Sequence, residues 1–228
     1  METLAPDPEL MRSLGKLARG LSALFWGLPA VLIISAETLR VELLRPVEIA
    51  PALFANLLLL YGLRQMSSFQ KQERPWRNAL DRAKLLGMVN LGLCPFLFWF
   101  NRMPEQDYFR DSVFVLVLSM LLFLFNLNVA LKQLGAMLPD ETLRHDMNLF
   151  TALNRLMLAA FLVFVVAVIG ASMWASGSGI NVSQPNLYLL LNLAAGVALF
   201  LGLSPLAVTM ALIWKTKEVI FDSVFGGK

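Results

Sequence analysis

From residue 156 to residue 214 the chain carries no Asp, Glu, Lys, Arg or His, a charge-free run of 59 residues. About 20 apolar residues in a helix cross the ~30 Å hydrocarbon core of a bilayer, so the run holds two crossings. Between them lies a stretch rich in Ser, Gly, Asn and Pro, residues 176–186, with the composition of a turn. Such a run in a water-soluble domain would leave too much apolar surface to cover. In lipid it is the expected design.

The rest of the chain fits the same solvent. Hydrophobic residues make up 57% and charged residues 15%, against about a quarter charged in soluble domains. In hydrocarbon every backbone N–H and C=O must be paired within its own segment or in a closed barrel. The apolar runs here have helix length and lack the alternation of ten-residue barrel strands. The expected fold class is therefore an all-α integral membrane protein, with residues 1–228 forming a single transmembrane helical domain. Runs between ionisable residues place the spans at about 20–36, 49–66, 85–101, 112–131, 156–175 and 187–214. The first three have short charge-free cores and cross only if flanking Arg and Lys side chains reach back to the headgroups.

Charge asymmetry orients the bundle. With the N-terminus in the cytoplasm, only Arg40, Arg45, Arg102 and Arg110 of the 19 basic residues fall outside, as the enrichment of Lys and Arg in cytoplasmic loops requires. Six spans in three antiparallel hairpins then place both termini inside. The expected location is a membrane, the bacterial cytoplasmic one. The run 20–36 follows Arg12, Lys16 and Arg19 as a signal peptide would, but it is longer than a signal core and lacks a small-x-small cleavage site. It reads as a retained first span.

Helical spacing assigns the faces. Gly20, Ala23, Gly27 and Ala30 share one face of the first span, and Ala83, Gly87, Asn90 and Cys94 one face of the third. Ser112, Ser119, Asn126 and Gln133 recur every seven residues along the fourth, while Ala195, Ala198, Gly202, Pro205 and Thr209 run down the sixth. Small residues let helix backbones approach, and buried Ser or Asn can hydrogen-bond across an interface. Asn56, Asn90, Ser119, Asn126, Asn128 and Asn192 are accordingly the candidates for helix packing or for lining a polar solute path. No span centre carries a charge, which disfavours ion-coupled transport.

The most basic segment contributes Arg64, Lys71, Arg74, Arg77, Arg82 and Lys84, with Phe69 and Trp76 among the charges. Anionic headgroups attract such a segment, and Trp favours the interface. These residues, Trp76 included, are the candidates for docking a lipid surface or a partner. The net charge of +3 belongs to the flanks of apolar spans, so lipid rather than nucleic acid is the expected partner.

Catalytic signals are thin. The single histidine, His145, and the single cysteine, Cys94, exclude a bis-histidine haem, a His-rich metal cage and an intramolecular disulfide. His145 and Asp146 are neighbours on a helix and point apart, so they read as an exposed pair and not as a base with its orienter. Asp107 and Asp111 stand four apart and could hold Mg²⁺ on a diphosphate, but Arg102 and Arg110 offer ordinary ion-pair partners. The P-loop, Gly-x-Ser-x-Gly and His-Glu-x-x-His patterns are missing. The sequence thus assigns no catalytic, metal or cofactor residue. The expectation is a non-enzymatic structural or assembly subunit of a membrane complex, associating with other membrane subunits or with itself. The alternative is a channel or facilitator for a neutral or weakly polar solute, and an enzyme acting on lipid rests on Asp107 and Asp111 alone.

Overall fold

The computed structural model describes residues 8–40, 49–70, 72–103, 105–138, 141–178 and 184–225. Among them every regular element is a helix: α1 (Pro8–Arg40), α2 (Ala50–Met66), α3 (Arg74–Leu93), α4 (Pro95–Arg102), α5 (Asp107–Met137), α6 (Glu141–Ser178) and α7 (Gln184–Phe225). Four stretches are long and apolar enough to cross a membrane: Met11–Thr38, Arg74–Arg102, Asp107–Met137 and Glu141–Val168. With its 17 residues, α2 spans only about 26 Å.

Prolines set several boundaries. Pro51 and Pro75 sit in the first turns of α2 and α3, where a missing N–H costs nothing. Pro95 does the opposite in the middle of the expected third span, because its ring cannot donate to the Leu91 carbonyl. The Cys94 thiol donates to that carbonyl at 3.2 Å, and the chain turns at Cys94 into α4. The span expected at 85–101 is therefore two helices joined at a capped break.

Helix ends depart further from the charge-based reading. Residues 141–155, which precede the span expected at 156–175, form the first turns of α6, which runs without interruption for 38 residues. Past Trp214, α7 continues through Lys215 and Lys217 to Phe225 and reaches 42 residues. At about 57 and 63 Å both exceed the hydrocarbon thickness. The extensions are packed, for Leu143, Met147 and Ile220 join Leu17, Met66, Phe69, Trp76, Leu80, Leu134 and Leu138 in one buried cluster. The basic end of the bundle is thus a helical base.

Neighbouring helices close a ring in the order α1, α2, α3, α5, α6, α7, with α5 also touching α7 across it. Its interior is filled by side chains such as Leu24, Leu59, Phe123, Leu127 and Ile213, each 1% exposed or less. The expected face holds in the third span, where Ala83, Gly87, Asn90 and Cys94 are buried. It holds in part in the first, where Gly20 and Gly27 are buried and Ala23 and Ala30 half-buried. The seven-residue stripe on α5 does not hold. Ser119 lies inside while Ser112, Asn126 and Gln133 are half-buried, and the core face is Leu116, Ser119, Phe123, Leu127, Ala130 and Leu134. Bulk, not polarity, decides that helix's orientation.

The closest approach is between α1 and α2. A methyl added at Gly20 would stand 2.7 Å from the Gly62 carbonyl oxygen, and one at Gly62 2.9 Å from that of Gly20. Seven residues along α1, Gly27 faces Leu59, so the two helices run in opposite directions. Because backbone meets backbone there, no side chain can yield. Gly20→Ala should lower stability by about 1–3 kcal/mol through overpacking, read as denaturant unfolding in detergent. Gly92, with nothing within 4 Å of its site for a Cβ, supplies the control, where alanine should be neutral or slightly stabilising. Equal effects of the two substitutions would remove the crossing as a stability determinant.

Candidate functional site

Three helices meet at one hydroxyl. Thr209 of α7 is fully buried and its Oγ1 donates to the Pro205 carbonyl at 2.7 Å. The same oxygen accepts from Nδ2 of Asn128 on α5 at 2.9 Å and from Nδ2 of Asn154 on α6 at 3.0 Å. One donation and two acceptances use the whole capacity of a hydroxyl. Asn128 sends its other amide hydrogen to the Leu124 carbonyl, 2.7 Å away. Its exposure is 1% and that of Asn154 is zero, so water competes with none of these bonds. Oδ1 of Asn128, Oδ1 of Asn154 and Oγ1 of the buried Thr151, one turn before Asn154, have no protein partner. The node therefore presents oxygen acceptors to the seam between α5, α6 and α7.

Below the node, towards the base, Lys215 of α7 donates to Asp146 of α6. Asp146 is thus a tie between helices and not simply half of an exposed pair with His145. Above it, Phe161 of α6 lies against Gly202 of α7, with ring carbons 3.9 Å from where a Cβ would stand. The order of these contacts along the two helices is reversed, so α6 and α7 are antiparallel.

The candidate asparagines separate into different environments. Asn56 donates to the Ala52 carbonyl at 2.9 Å and Asn126 to that of Leu122 at 2.8 Å, each within its own helix. Asn90 reaches from α3 to the Met120 sulfur of α5 at 3.2 Å, and its Oδ1, like the hydroxyl of Ser119, has no protein partner. The side chain of Asn192 lies outside the described residues, and of the other five candidates Asn128 alone joins the node. Asn154 was missed because it adjoins Arg155 and so fell in a flank instead of a span. Leu143, Met147, Thr151, Asn154 and Leu158 nevertheless recur at helical spacing, and that pattern could have marked the buried face.

Around the basic segment the candidate residues differ in exposure. Trp76 is 2% exposed and its Nε1 donates to the Phe69 carbonyl at 3.2 Å, with Phe69 itself 5% exposed. Both aromatics anchor the α2–α3 connection to the helical base, so the indole is a packed side chain with little surface of its own. The reason is local: Ala79, Leu80 and Ala83 follow Trp76 on the same face of α3 and carry it inward. Arg64, Arg74, Arg77 and Arg82 are exposed, Lys84 is half-buried, and Lys71 lies outside the described residues. Asp81 pairs with Lys84 at 3.2 Å and with Arg77 at 3.8 Å. At the other end of the molecule, Arg110 pairs with Asp107 at 2.9 Å and Asp111 at 3.7 Å, and all three are open to solvent.

Removing the Thr209 hydroxyl strands two buried amides. Thr209→Val keeps the shape and should cost about 2 kcal/mol, whereas Thr209→Ser should stay near wild type. Thermal unfolding in detergent separates the cases, and a valine variant as stable as the serine one would show that the node holds nothing together. No family model, curated protein or solved structure matches the chain.

Proposed function

We propose that this chain is a polytopic membrane protein of six crossing helices in three antiparallel hairpins, with both termini in the cytoplasm, serving as a structural or assembly subunit of a membrane complex. In this reading α2 and α7 cross together with the four long apolar stretches, and the bacterial cytoplasmic membrane is the site. The positive-inside distribution of Lys and Arg supports the orientation.

One observation carries the subunit role. In α6 only 17% of the apolar window is buried, against 33–39% in the other three candidate spans. Leu156, Val163 and Val166 of α6 and Phe200 of α7 are 58–68% exposed. The α6–α7 pair is fastened at the basic end, and these residues beyond it form a charge-free apolar surface suited to contact within the bilayer. A solute path has less support, since Asn56 and Asn126 spend their amides on their own helices and the ring interior is packed with Leu and Phe.

Two experiments test this. Native mass spectrometry of the C-terminally tagged protein, extracted gently from its own membrane, should recover it in fixed ratio with other polypeptides. Recovery of the chain alone would count against the subunit role and favour flux assays in liposomes. For topology, a membrane-impermeant maleimide applied to intact cells should label a cysteine replacing Glu105 but neither of those replacing Gln72 or His145, three exposed positions. The reverse pattern would invert the orientation.

A further inference from the structure

A hollow of about 340 Å³ opens beside Trp76, lined by Ser67, Phe69, Trp76, Arg77, Leu80, Asp81 and Lys84. Its floor is the buried indole and Phe69, and its rim carries two cations and one carboxylate. Arg77, Asp81, Lys84 and Met88 stand at intervals of four, three and four residues, so they form one stripe along α3. The stripe changes character within a turn, for Leu85 is 59% and Met88 55% exposed. Charge gives way to open apolar surface over about 6 Å of helix, the profile of a headgroup region meeting hydrocarbon. The ion pairs at the rim differ in strength. Arg77 and Asp81 have side chains 69% and 54% exposed and stand 3.8 Å apart, and such pairs contribute little. Lys84 lies 3.2 Å from Asp81 with its side chain 27% exposed, so Arg77 is the freer cation and Lys84 exchanges Asp81 for a stronger anion.

We propose that this hollow binds the phosphodiester headgroup of an anionic glycerophospholipid, with Arg77 and Lys84 on the phosphate and an acyl chain along Leu85 and Met88. The inference rests on the membrane reading above. Two cations and one carboxylate leave the lining with a net charge of +1, which one phosphodiester neutralises. A choline headgroup would add a cation that the lining does not call for. An acidic peptide would use the rim but not the apolar continuation of the stripe.

Alkaline carbonate extraction tests the membrane reading separately, and release of the protein would overturn that reading first. With the protein membrane-resident, the full chain in mild detergent is titrated with phosphatidylglycerol and followed by native mass spectrometry. One phosphatidylglycerol per chain should be retained. The R77Q/K84Q variant should weaken it by about tenfold or more, while Arg12→Gln, exposed and outside the hollow, should leave it unchanged. Asp81→Asn frees both cations and should tighten binding several-fold, a gain that misfolding cannot imitate. Equal weakening by the Arg12 variant, equal retention of phosphatidylcholine, no tightening in the Asp81 variant, or displacement by inorganic phosphate at low millimolar concentration would each overturn the proposal. The last outcome would assign the hollow to a soluble phosphate.

Discussion

In hydrocarbon a helix gains nothing by hiding leucine from its surroundings, so helices there are held by close approach and by hydrogen bonds between them. The contact between Gly20 and Gly62 supplies the first, and the Thr209 node supplies the second. Each joins elements that follow one another in the chain. The glycine crossing sets the α1–α2 pair, and the node gathers α5, α6 and α7. Gly87 plays a related part on α3, where a Cβ would lie 2.8 Å from Leu60 of α2 and 3.6 Å from Phe123 of α5. A ring of six helices closes because small residues stand where three neighbours converge.

A different force acts at the basic end. The burial of Leu17, Trp76, Leu134, Leu143 and Ile220 among charged helix turns is the pattern of an amphipathic bundle in water, where the hydrophobic effect operates at full strength. In the proposed membrane arrangement, two solvents stabilise one set of helices by different means. The node lies near their boundary: Asn154 adjoins Arg155, and Asn128 is one turn from Lys132. Burial of its amides excludes the water that would otherwise satisfy them, which gives the shared hydroxyl its weight.

Charge counting reads where hydrocarbon ends, and helices end for other reasons. Arg155 and Lys215 bound the apolar run, yet α6 starts at Glu141 and α7 stops beyond Asp222, because nothing in those flanks interrupts the backbone ladder. The buried face of the third span was legible because Ala83, Gly87, Asn90 and Cys94 are small and three or four apart. On α5 the same reasoning chose polar residues, although large apolar ones at 116, 123, 127 and 134 had more surface to hide. The burial of Trp76 has a related reason. Its charged neighbours in sequence suggested an interface, whereas its neighbours in space are set by the helical repeat. The polar node was only half read: Thr209 was on a recognised face, but its partner Asn154 was set aside with the charged flank although its helical spacing with Met147, Thr151 and Leu158 was open to view.

The contacts that fasten α6 to α7 change in kind along the pair. From the base upward they include an ion pair, a shared hydroxyl and a phenyl ring against a glycine. The first two are directional and lie at or below the Thr209 node, whereas the third is at van der Waals range, where the attraction between two atoms is small and weakly oriented. In the ring α6 packs between α5 and α7, while Leu156, Val163 and Val166 face outward. A partner bound at that outward face would cover it and give α6 a third neighbour above the Thr209 node.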